Sequence, residues 1–261
     1  MTGRNLLKIA LLVVVLLACG FWLFQPRQTH GILLSNATAA ALSEAPNSAA
    51  VFVKIENTAA PDRLLQASTP DADNASLSEQ IHGLAIPSSS APSLAPDGVF
   101  LRLTGLRGPL EDGRALPITL VFENAGEVTT RARIIAPKSS GEASKFGLFG
   151  IGDICRVGEG EPAPHISVAV IPNGDGWYIS IQSDQFEFTP NLVDGPHVPG
   201  TGHGHLYLNG LKMQRLYQST AQIGALPQGE HEVRVTLNTN DHRAYVVGDD
   251  PVTASVRFVV E

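Results

Sequence analysis

The chain has 261 residues, of which 6% are aromatic and 16% charged, with 25 glycines and 18 prolines. That composition excludes a protein built of long helices and points to short strands with frequent turns. The formal charge is −7, and once Arg4, Lys8 and Arg27 are set aside with the first thirty residues, 15 basic side chains stand against 25 acidic ones; such a body lacks the basic patches that nucleic acid or anionic lipid would need.

The first element in chain order is apolar. Leu6 to Phe24 is a run of nineteen residues with a single charge, Lys8, long enough as a helix to cover nearly the whole hydrocarbon layer. Arg4 and Lys8 precede its apolar centre, which keeps the N-terminus in the cytoplasm and places everything after Gln25 outside. Three fates compete for this segment. It can stay as a single-pass anchor with Trp22 at the outer interface, which is the expectation adopted. It can be lipidated at Cys19, because Leu16-Leu17-Ala18-Cys19-Gly20 resembles a bacterial lipobox, although Phe21 to Phe24 extend the apolar run beyond it. Or it can be cleaved at the Ala37 to Ala41 stretch, rather far downstream. The expected location is the cytoplasmic membrane, with the body in the periplasm. The other cysteine, Cys155, cannot pair with Cys19, so an intramolecular disulfide and a Cys-rich zinc site are excluded and Cys155 reads as an inert thiol.

Strands are expected next. Residues 45–58 alternate at Val51, Val53 and Ile55; Gly98 to Leu106, Ala115 to Glu123 and Glu127 to Ile135 follow, each with the period of two that marks a half-buried strand. The Pro87 to Pro96 stretch and Glu111-Asp112-Gly113 supply turns. Pro137 to Pro164, rich in Gly, Ser and charge, reads as a linker. Beyond it strands are expected at Ile166–Ile171, Trp177–Ser183, Phe186–Thr189, His205–Asn209, Lys212–Tyr217, Glu232–Thr236 and Thr253–Val260. Asn209-Gly210 is the signal of a type I′ hairpin, since both residues tolerate positive φ. The fold class is therefore all-β: two β-sandwich domains behind an N-terminal transmembrane helix, divided at 1–29, 30–136, 137–164 and 165–261.

Three blocks of the first domain carry a resemblance: Ala49 to Asn57, Asp62 to Ser68, and Gly105 to Leu110 running on through Leu120 to Val128. Together they resemble the PCu(A)C family of periplasmic copper chaperones, which implies a cupredoxin-like sandwich. The family's copper ligands are two His and two Met. Where its His-x-Met pair is expected this chain has Phe100 and Arg102, His82 is the one candidate for the other His, and the only methionines are Met1 and Met213. Soft thioethers are what select Cu(I). The resemblance thus implies the fold with the usual site missing.

The second half holds six of the eight histidines, His165, His197, His203, His205, His231 and His242. His203 and His205 are two apart in a strand pattern, so their rings project from one face and can converge on one ion. The flanking glycines would let the backbone bend toward a ligand. His242 follows a later strand, with Asp241 beside it as an oxygen donor or as the partner orienting an imidazole. His203, His205, His242 and Asp241 are accordingly the candidate metal ligands, and such a set suits Cu(II) or Zn(II) better than Mg(II) or Ca(II). The competing reading makes these rings ordinary hydrogen-bonding groups. His165, His197 and His231 read as surface residues, and Trp177 as a core or interface aromatic. This half also resembles a group of secreted β-domains with a Gly-His-x-His-Leu-Tyr block and an Asn-x-Asn-Asp-His block.

Two functions remain in competition. One is a membrane-anchored extracytoplasmic metal-binding protein that handles or delivers copper, zinc being possible, to a membrane-bound cuproprotein or its assembly factors. The other is a metal-free module assisting a membrane protein complex. An enzyme is not expected: no Gly-x-Ser-x-Gly elbow and no His-Glu-x-x-His occurs.

Overall fold

Where apolar and polar residues alternate most regularly, strands form. The computed structural model describes residues 31–42, 45, 47–79, 83–135 and 153–261. The expected span Leu6 to Phe24, Cys19, His82 and much of the expected linker lie outside the described residues. Among the described residues no helix is long and apolar enough to cross a membrane.

The first part contributes β1 (Ile32–Ala41), β2 (Ala49–Asn57), β3 (Asp62–Ser68), β4 (Asn74–Leu77), β5 (Leu84–Ile86), β6 (Ser93–Leu94), β7 (Leu101–Thr104), β8 (Ala115–Phe122) and β9 (Gly126–Ile135). β8 shows how its sequence forms it: Leu116, Ile118, Leu120 and Phe122 are buried while the residues between them are not, the alternation of a sheet with one face on a core. The stretch Ala37 to Ala41, the cleavage site of the third and least favoured of the three fates of the N-terminal segment, lies inside β1. There it pairs with both β2 and β9, and Ala39 is fully buried, so its small side chains serve close packing.

The second part contributes β10 (Ile154–Arg156), β11 (His165–Asn173), β12 (Gly176–Asp184), β13 (Glu187–Phe188), β14 (Thr201–Leu208), β15 (Leu211–Leu216), β16 (Thr220–Ile223), β17 (Gly229–Asn238), β18 (Ala244–Val247), β19 (Asp250–Pro251) and β20 (Thr253–Val260). β10 falls within the expected linker, yet it pairs in parallel with β18 and buries Ile154 and Cys155. The hairpin at Asn209-Gly210 forms as its sequence predicts, with φ of 49° and 78° and Leu208 opposite Leu211. β14 is central, paired with β15 on one side and β17 on the other.

Two hydrophobic cores result, and each takes one buried residue from the other part. Leu211 packs in the core of the first, and Ala85 in the core of the second. Backbone bonds tie the parts as well. Lys212 pairs with Ser93, Val99 N–H donates to the Gly210 carbonyl at 2.9 Å, and Ser88 N–H to the Ala225 carbonyl at 3.0 Å. The two parts are joined across this seam.

Candidate functional site

His203 and His205 enter on β14, where successive side chains point to opposite faces. Leu206 and Leu208 take the face that joins the second core. His203, His205 and Tyr207 take the other, toward the first-domain turn that carries Asp97. On β17, Thr236 stands opposite His205 and Asn238 opposite His203, so four polar side chains form a two-by-two patch across adjacent strands. None of the four is more than 4% exposed.

Most of their polar atoms are unpaired. Both ring nitrogens of His203, Nε2 of His205, Oγ1 of Thr236 and both amide atoms of Asn238 have no hydrogen-bond partner among the described residues. Buried polar atoms are paired in the great majority of cases, because each orphan forfeits its hydration. Six orphans on one patch make it the candidate site among the described residues.

His242 brings a third ring. Its backbone adopts φ of 68° on the turn after β17, and its ring centroid lies 4.9 Å from that of His203, which is itself 5.1 Å from His205. The two outer rings each meet a carboxylate: His205 Nδ1 is 3.0 Å from Asp97 Oδ2, and His242 Nε2 is 2.5 Å from Asp194 Oδ1. The central ring meets none. Asp241, expected to serve as a ligand or to orient an imidazole, spends its carboxylate on Arg243 at 3.0 Å and on the Thr239 hydroxyl. The carboxylates in contact with the outer rings are those of Asp97 and Asp194 instead. Among the described residues no three His, Cys, Asp or Glu side chains are grouped to hold a metal ion, so binding by all three rings requires them to reorient.

The electrostatics favour neutral rings at His203 and His205. Burial, with the neighbouring rings of His205 and His242 adding to it, pushes the His203 imidazole down to about 3. Burial also lowers His205, against the opposing hydrogen bond to Asp97. Burial would raise the Asp97 carboxyl, but the His205 hydrogen bond and the Lys212 ammonium together hold it well below the usual carboxylate range. His203 and His205 are thus unprotonated nitrogen donors, the second backed by the ionised Asp97. Arg215 is a countervailing positive charge close enough to depress both His203 and His205.

The glycines flanking His203 have a different use from backbone bending. A Cβ on Gly202 would lie 2.0 Å from the Asn238 carbonyl oxygen, and one on Gly204 would lie 3.2 Å from Leu216. They let β14 sit tightly between its neighbours. His231, expected at the surface, is 2% exposed; its ring bonds the Pro227 carbonyl at 2.7 Å and the Asn209 amide at 3.1 Å. His165 is exposed, and His197 lies 3.6 Å from the Cys155 thiol, which burial pushes up and keeps protonated. Trp177 packs on Phe258 with centroids 4.6 Å apart.

In the first domain, Phe100 packs against Phe52 and Arg102 lies over the Phe100 ring at 5.7 Å. The adjoining cleft, about 770 Å³, is lined by Leu64, Leu77, Leu101 and Arg102 among others. Among the described residues the lining also carries Gln66, Ser76, Ser78 and Glu79 but no His, Cys or Met, so the residues described there do not rebuild the soft-donor site that the resemblance implies.

Comparison with known proteins matches residues 32–134 to the family described as putative lipoprotein LpqE-like. Among solved structures, the copper-bound PCuAC domain from PmoF2 is 29% identical over 41% of this chain and 94% of its own length, with a TM-score of 0.38. The apo PCuAC domain from PmoF1 is 27% identical over 41% and 95%, also with a TM-score of 0.38. A Cu(I)-bound protein from Deinococcus radiodurans is 24% identical over 42% and 84%, with a TM-score of 0.35. No curated protein matches the chain.

Proposed function

We propose that the chain is an extracytoplasmic copper-handling protein: its residues 32–134, which match the LpqE-like family model, supply a PCu(A)C-like part, and its ion is held in the second part. The observation that carries this is the buried patch of His203, His205, Thr236 and Asn238 with six orphan polar atoms. Copper is the cargo here, and imidazole donors suit Cu(II), with Zn(II) accepted by the same set. His203 and His205 supply nitrogen lone pairs, and the half-buried His242 turns in to complete the set. Asp97 and Asp194 back the two outer rings in the manner of carboxylates behind metal-bound imidazoles. The function is binding and transfer, not turnover, and the receiver is a membrane-bound cuproprotein or its assembly factors.

Attachment to the membrane is through Leu6 to Phe24 retained as a span or through a lipid on Cys19. The family's description as a putative lipoprotein supports the second. The mass of the N-terminal peptide from membrane-extracted protein distinguishes them.

The test is a chelator-competition titration of the full chain with Cu(II) and Zn(II). The double variant His203→Ala/His205→Ala is expected to lose at least a hundredfold in affinity; unchanged binding would sink the proposal. A metal-free module assisting a membrane complex is the second reading, favoured by Phe100 and Arg102 in the first domain. It predicts no metal by elemental analysis of protein from its native membrane and a stably associated partner.

A further inference from the structure

Asp97 belongs to the first domain, on the turn between β6 and β7, yet its side chain serves the second. It is 5% exposed, and one oxygen, Oδ2, gathers three groups: His205 Nδ1 at 3.0 Å, Lys212 Nζ at 2.5 Å and the Tyr207 hydroxyl at 2.9 Å. An ionised carboxylate only accepts hydrogen bonds. Tyr207 and Lys212 donate to it, and for His205 to sit 3.0 Å away its proton must be on Nδ1. The other arrangement has Nδ1 accepting from Lys212 at 3.3 Å. It would set a lone pair against the nearer carboxylate oxygen, which is repulsive. With the proton on Nδ1, the lone pair of His205 is on Nε2, the atom that has no partner among the described residues.

The turn that delivers Asp97 is clamped. A Cβ on Gly98 would lie 2.5 Å from the Gly210 carbonyl oxygen, and the neighbouring Val99 N–H donates to that same oxygen at 2.9 Å. The first domain therefore cannot shift along this hairpin without drawing Asp97 away from His205.

Resting on the metal-binding reading above, we propose that Asp97 is the positioning residue of a site shared by the two domains. The first domain supplies the carboxylate that fixes the tautomer and orientation of His205, and the second supplies the rings that take a divalent copper or zinc ion. Lys212 reaches the same Asp97 oxygen and, with the Tyr207 hydroxyl, holds the carboxylate aimed at His205. A metal-binding domain of this kind works only when its neighbour is docked.

The test uses the full chain in detergent, labelled with ¹⁵N-histidine, with Zn(II) as the probe. In the metal-free protein the His205 ring is expected to read as protonated on Nδ1 and bare on Nε2; protonation on Nε2 would overturn the proposal without any variant. Because Asp97→Asn alone strands the Lys212 charge, the paired variant Asp97→Asn/Lys212→Gln is used, keeping two hydrogen-bonding side chains of similar size. It is expected to mix the two tautomers of His205 and to weaken zinc binding about 10- to 100-fold, with Asp97→Glu recovering part of the loss. Wild-type zinc affinity in the paired variant, together with lost affinity in His203→Ala/His205→Ala, would refute the role of Asp97 and leave the metal reading intact. Wild-type affinity in the double His variant would overturn the metal reading itself.

Discussion

Burial holds the His203 ring at about 3, well under the 6.5 it has when solvated. Between those values an unfolded chain takes up a proton at this residue that the folded chain refuses, so stability rises with pH across that window. The contribution is fully present above about 6.5 and is lost as pH falls toward 3. His205 and His231, both lowered chiefly by burial, act with the same sign. In the presence of chelator the melting temperature should therefore fall by roughly a few degrees from pH 7 to pH 5. His203→Leu should flatten that fall, as thermal melts at the two pH values will read. An equal fall in the variant would mean that the ring is solvated. At this scale the sequence was informative about residue type and face, since the i, i+2 spacing puts His203 and His205 together. It was silent on Asp97, which reads as turn chemistry beside Pro96 and Gly98. Its partner Tyr207 stands 110 positions further along the chain, beyond the reach of any local pattern. Asp241 was misleading for a related reason: adjacency to His242 in sequence says nothing about a carboxylate that Arg243, two residues on, can claim.

β14 shows what the strand scale adds. It is buried from Gly202 through Leu208, because it is flanked by β15 and β17 and covered on both faces. Alternation disappears from such a strand, and reading by period therefore starts it at His205, four residues late. Strands with one solvated face, such as β8 and β20, were legible to within a residue. β1 was not, because Ala, Ser and Thr give it no contrast. The tightness of β14 against β17 yields a prediction. Gly202→Ala must push away the Asn238 carbonyl oxygen, which would stand only 2.0 Å from the new Cβ, at a cost of about 1–3 kcal/mol. Denaturant unfolding should register that loss, and zinc affinity should drop with it, because the same shift separates His203 from Asn238. A variant as stable as the parent would show that the two strands have room to spare.

At the scale of the whole molecule, the seam is what holds Asp97 against His205. Gly224 lies against the first domain so closely that a Cβ there would stand 2.0 Å from the Ser88 carbonyl oxygen. The Ala225 N–H next to it donates to Ser88 Oγ at 2.9 Å. Gly224→Ala is expected to loosen the two parts while leaving each core intact. Small-angle scattering should then report a larger radius of gyration, and zinc affinity should fall as Asp97 withdraws; an unchanged radius with unchanged affinity would argue against coupling. The seam was not visible in the sequence, where strands of the two parts look alike and nothing marks Leu211 and Ala85 as exchanged core residues. The hairpin at that seam also bears on how the protein ages. Asn-Gly is the dipeptide in which a side-chain amide is most readily lost through attack by the following backbone nitrogen, yet here the Asn209 oxygen accepts the Glu232 N–H at 2.7 Å and its nitrogen is held by His231. Fastened at both atoms, the amide is withheld from that reaction, and the junction keeps a chemical clock that runs only when the hairpin opens.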